Sequence, residues 1–94
     1  MQMEVEIVVQ LVKERVGIRS STARDAYITA IVNGVIDELQ NEKGLTLSDT
    51  DNNHLMFIVD YSTWRYDNRD SKDAMPRHLQ YRLHNLVINN KAVD

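Results

Sequence analysis

An all-α fold is predicted for this sequence: a small bundle of about four helices, with a long central helix and a mobile polar loop before the last one. Three observations lead there. Apolar residues recur at spacings of three and four in four separate stretches, the signature of a helix with one buried stripe. Gly17, Gly44 and Pro76 stand at the borders of those stretches, where helices stop or start. No stretch requires a strand, although the β-branched run Val5–Val12 leaves a strand as the runner-up at the N-terminus.

The first helix is expected over residues 4–16. Val5, Val8, Val9, Val12 and Val16 mark its buried face, Lys13 and Arg15 suit its negative end, and Gly17 stops it. A second, long helix is expected over 21–43. Ser20, Ser21 and Thr22 offer N-cap oxygens, with Asp25 three residues after Thr22 as in a capping box. Ile28, Ile31, Val32, Val35 and Leu39 form its apolar face, and Gly44 is placed to end it in the left-handed conformation. Gly34 inside it is a weak spot of about 1 kcal/mol relative to alanine, or a point of close helix contact.

After the linker Leu45–Asp51, the third helix is expected over 50–68, capped by Asp49 or Thr50. It carries two apolar stripes. Leu55, Ile58, Val59 and Ser62 share one side, while Phe57, Tyr61 and Trp64 share another; at roughly 100° per residue the two lie nearly opposite. A helix wetted on one side needs a single stripe, so this one meets partners on both: the rest of the domain or a second copy. The segment Asp67–Asp73 reads as a polar, mobile loop, and Pro76 opens a fourth helix over 76–89 with Leu79, Leu83, Leu86 and Val87 as its apolar face. Asn89–Asp94 reads as a frayed tail.

Ninety-four residues make one domain, too few for two cores, and small domains of this kind are only marginally stable. With 43% apolar and 27% charged residues the composition is that of a globular protein. The longest apolar run, Leu55–Val59, is far short of the roughly 18 residues of a membrane span, so no membrane partner is expected. The acidic N-terminus MQMEVE does not read as a secretion signal. There are no cysteines, which removes disulfides, thiolate metal sites and cysteine nucleophiles together.

Catalytic and cofactor chemistry finds little purchase. His78 and His84 are six apart and do not share a helix face as metal-binding pairs do, and His54 stands by itself. Asp49, Asp51, Asn53 and Asp60 imitate part of a calcium loop, but His54 occupies the position that demands glycine and no glutamate closes it. Nucleotide-binding and hydrolase glycine motifs are absent. Asp60, Asp67, Asp70 and Asp73 read as a solvated face rather than as paired carboxylates. Neither an enzyme nor a cofactor is expected.

The cluster Tyr61, Trp64, Arg65, Tyr66 and Arg69 admits three readings. It could stack bases and bind phosphate of single-stranded nucleic acid, which a net charge of −3 argues against. It could be a core edge with arginines at the surface. It could also be a protein interface, since Trp, Tyr and Arg dominate interface hot spots.

The series VKERVGI, a polar turn, a helix ending ELQNEKG, a short linker, HLMFIVDYSTWRYDNRD and a proline-led helix resembles the head–tail connector proteins of tailed bacteriophages, also called adaptor or head-completion proteins and sometimes DNA-packaging proteins. The resemblance covers roughly residues 8–88. It implies a non-catalytic virion protein, assembled in the cytoplasm of the bacterial host. Copies would form a homo-oligomeric ring below the portal protein, extend the DNA channel and offer a platform to a neck or tail-completion protein. DNA would be passing cargo, and an acidic wall would let it slide. On this reading Phe57, Tyr61, Trp64, Arg65, Arg69 and Lys72 are the expected subunit or portal interface. The competing class is a small helical regulator binding DNA or a protein. Its connection between the second and third helices is longer than a helix-turn-helix turn, and its presumptive recognition helix opens on apolar LMFIV. A helical protein–protein adaptor is the third possibility.

Overall fold

Each apolar stripe becomes a helix in the computed structural model, which describes residues 4–17, 22–45, 47, 51–71 and 73–92, with the side chains of 22, 23 and 89–92 outside that description. The chain runs α1 (Val5–Val16), α2 (Thr22–Asp37), a π-helical turn (Glu38–Glu42) continuing α2, α3 (Asn52–Asp67) and α4 (Arg77–Ala92). No strand occurs among the described residues, so the helical reading of Val5–Val12 holds.

The end signals act much as expected. Gly17 and Gly44 both adopt positive φ, 72° and 69°, which other residues resist. At Gly17 the backbone N–H returns to the carbonyl of Lys13. At Gly44 the closure is wider by one residue than the usual left-handed cap, with Lys43 N–H donating to Glu38 O at 3.0 Å and Leu45 N–H to Leu39 O at 2.9 Å. Gly34 is exposed, and the nearest atom to an added Cβ would be Arg65 Nη1 at 3.8 Å, so no close helix contact requires glycine there.

Two boundaries differ from expectation. The cap of α3 is Asp51, whose carboxylate accepts from the backbone N–H groups of Asn53 and His54 at 2.9 and 3.4 Å. Asp49 and Thr50 lie outside the described residues, as do Ser20 and Ser21 before α2. Because α3 is helical from Asn52, the stretch cannot wrap a cation as a calcium loop does. α4 runs on to Ala92 rather than fraying from Asn89, since VINNKA holds neither glycine nor proline to stop it. Pro76 immediately precedes α4, and its carbonyl accepts from the N–H groups of Leu79 and Gln80.

The core forms where α1 and α2 pack on each other and on one side of α3: Val8, Val12, Ile28, Val32, Val35, Leu39, Ile58 and Val59 are within 1% of complete burial. α4 lies antiparallel along another side of α3 through Leu79 and Leu86, with Arg82 opposite Phe57 and Asp60. The shortest dimension of the molecule, 19 Å, is about two helix diameters, so the bundle is two layers thick. Leu45 and Leu47 in the linker are also buried, at 6% and 1% exposure, and tie the α2–α3 connection to the core.

Candidate functional site

α3 is the element around which any site must be built, because it touches all three other helices. Its two stripes have different fates. Ile58, Val59 and Ser62 are fully buried, as is Phe57, while Tyr61 retains 7% exposure and Trp64 is half-buried. The chain itself therefore encloses most of the second stripe. Phe57, Tyr61 and Trp64 form a continuous aromatic row, with ring centroids 5.8 and 6.3 Å apart.

Arginines close this row against water. Arg82 of α4 lies over Phe57 at 5.5 Å, and Arg65 lies over Tyr61 at 5.9 Å. One turn on, Arg69 covers Tyr66 at 4.4 Å and donates to the Tyr66 carbonyl at 2.7 Å. A guanidinium over a ring gains from the ring quadrupole while its stem covers apolar surface. A base-stacking platform needs open ring faces. In this cluster the rings of Tyr61 and Tyr66 are already buried and covered.

The Tyr61 hydroxyl donates to Glu38, 3.1 Å from each carboxylate oxygen, and Arg65 Nη1 lies 3.9 Å from the same group. Burial, then the Glu38 charge and hydrogen bond, push the Tyr61 pKa up to about 12 from 10.0. A pKa raised on folding adds stability that is complete below pH 10 and lost as pH rises through the folded value. Tyr61→Phe is expected to cost about 1 kcal/mol at pH 8, the usual worth of such a bond. In paired thermal melts, the gap between wild type and variant should close as pH approaches 12.

On the opposite edge, Asp60 joins three helices. Its carboxylate accepts from Arg15 of α1 and, at 2.6 Å, from Arg82 of α4. Burial opposes the charge, but the hydrogen bonds and charges of Arg82 and Arg15 together outweigh it and hold the Asp60 pKa below its usual 3.8. Asp60 is thus an internal tether rather than part of a solvated carboxylate face. Asp67, Asp70 and Asp73 are exposed.

Of the aromatic–arginine cluster, the part open to a partner is the C-terminal end of α3. Tyr27, Ile31, Trp64, Arg65, Asn68 and Arg69 line a cleft of about 260 Å³ that runs to Ser71 and Asp73. The following turn is tied locally: Asn68 Nδ2 donates to Trp64 O at 2.9 Å, and Ser71 N–H to Asn68 O at 3.0 Å. Of the six residues expected at an interface, Trp64, Arg65 and Arg69 meet at this cleft. Phe57 and Tyr61 are buried in the core and do not line it, and Lys72 is outside the described residues.

No protein-family model matches the chain, and no similar curated protein or solved structure was found. No described helix is long and apolar enough to cross a membrane. No group of three or more His, Cys, Asp or Glu among the described residues could hold a metal ion. Exposed His78 and His84 and partly buried His54 stand apart on their helices, the last with Nε2 3.7 Å from Asp51.

Tyr27 and Ile31 were not singled out by sequence as parts of a cleft with Trp64. Ile31 reads there as ordinary core, and nothing in the spacing of α2 shows that its N-terminal half leans on the end of α3. Asp60 did carry a signal: a carboxylate set between two apolar stripes of one helix has no fully wet face to occupy.

Proposed function

We propose that this chain is a structural virion protein of the head–tail connector kind. It acts as one subunit of a ring below the portal that extends the DNA channel and receives the next neck or tail component. The observation carrying this reading is the run HLMFIVDYSTWRYDNRD followed by a proline-led helix, which corresponds to α3, its exposed end and α4. No catalysis and no cofactor are required of it. The cleft bearing Trp64, Arg65 and Arg69 combines aromatic and guanidinium groups suited to a protein partner, and the neighbouring sequence Asp67–Asp73 alternates charge. The portal is assigned to this end. A net charge of −3 suits a channel through which DNA slides. A regulator reading loses support because Phe57, Ile58 and Val59, at the start of its presumptive recognition helix, are buried in the core.

Charge reversal tests the portal assignment. Arg69→Glu with Lys72→Glu should weaken binding to the portal protein of the same phage about tenfold or more, with unchanged helicity by circular dichroism. Unaltered binding would remove the assignment.

A further inference from the structure

Two helix faces in this molecule stay unpartnered, and they match each other. On α4, Arg77, Tyr81, His84 and Ile88 recur at four, three and four residues, so they form one stripe, and all four are exposed. Tyr81 is 69% and Ile88 49% exposed, among the largest apolar exposures in the molecule. This stripe lies opposite the face that packs on α3, because Leu79, Leu83 and Leu86 fall on the other side of the helix. The sequence of α4 contains basic residues and no carboxylate.

On α1, Ile7, Leu11 and Glu14 form a second outward stripe, headed by Glu4 at the helix start. Ile7 is 48% exposed one turn before Leu11, and Met56 of α3, at 43%, lies beside Leu11. Leu11, Glu14, Arg15, Met56 and Val59 meet at an open trough of about 200 Å³, where the Arg15 charge is already engaged by Asp60. Glu4 and Glu14 are exposed, and neither makes an ion pair among the described residues; nor does Arg77. The two stripes also agree in length. Glu4 and Glu14 are ten positions apart and Arg77 and Ile88 eleven, about 15 and 17 Å of helix.

We infer that the α4 stripe of one copy docks on the α1–α3 trough of the next copy. Tyr81 and Ile88 cover Ile7, Leu11 and Met56, and Arg77 pairs with a flanking glutamate. The two patches differ, so the contact is heterologous: it repeats head to tail and closes into a ring if the rotation allows. This pairing rests on the connector reading and names its subunit interface, which lies apart from the Trp64 cleft assigned to the portal.

The chain has no cysteine, so single cysteines report contacts cleanly. Ile7→Cys and Tyr81→Cys copies, treated with a short bismaleimide, should give crosslinked dimers when mixed and little when either is alone. Glu4→Arg with Glu14→Arg in the Ile7→Cys copy should reduce the mixed crosslink about tenfold, and Arg77→Glu in the other copy should restore it. Rings seen by negative stain without the mixed crosslink would overturn this pairing and leave the connector reading standing. A mixed crosslink with assemblies that never close would support the pairing and contradict the ring.

Discussion

Replacing Asp60 with asparagine is expected to destabilise the fold by about 2–3 kcal/mol at neutral pH, because the carboxylate accepts charged hydrogen bonds from two other helices. The midpoint of thermal unfolding should fall by roughly 10–20 °C for a domain of this size. The variant keeps the shape of the side chain and a hydrogen-bond acceptor but leaves Arg15 and Arg82 beside each other without their shared anion. Half-exposed Arg15 can turn to water, which holds the loss below that of a fully buried pair. The acid dependence follows from the depressed pKa of Asp60. A carboxylate whose pKa is lowered on folding contributes stability that is present above the unfolded value and lost as pH falls through the folded one. The difference between wild type and Asp60→Asn should therefore hold at neutral pH and shrink below the ordinary carboxylate value of 3.8. A constant difference across that range would mean that the tether does not act through charge.

The second large effect separates two members of one aromatic row. Phe57→Ala removes a ring that is 1% exposed and sits under Arg82, so a loss of about 3–5 kcal/mol is expected, enough to unfold a marginal domain. Trp64 is half-buried at the cleft, and Trp64→Ala should cost clearly less and leave the helical circular dichroism intact. Urea titrations of both variants measure the contrast. The practical consequence is that Trp64→Ala can probe partner binding in a folded protein, whereas Phe57→Ala cannot. Equal destabilisation would place Trp64 in the core and remove it from any interface.

The helices were legible because their causes are local. Valine and leucine spacing marked the buried faces of α1, α2 and α4, and Gly17, Gly44 and Pro76 stand beside real boundaries. What could not be read was how the faces are shared. The double stripe of α3 shows that partners lie on both sides but not that Arg82 of α4, Glu38 of the π-helical turn and Tyr27 and Ile31 of α2 share the second of them. Leu45 and Leu47 are masked by the polar linker around them, although their spacing of two fits a short extended piece with one face buried. In sequence Asp60 reads like the exposed aspartates that follow it, because its two arginine partners lie 45 and 22 residues away. Of the interface set, the aromatic–arginine character was visible in sequence. The division into enclosed Phe57 and Tyr61 and accessible Trp64, Arg65 and Arg69 depended on which rings the arginines cover.

The measurement that bears most directly on ring assembly is light scattering behind size-exclusion chromatography over a concentration series, with the largest species imaged by negative stain. A single helix stripe per subunit makes each pairwise contact weak, and closure supplies the avidity, so monomer at low concentration should pass cooperatively to one closed species. Rings of uniform size with a central hole are the expected result. A monomer that persists at every concentration, up to the millimolar range, would contradict the assembly proposed for this chain.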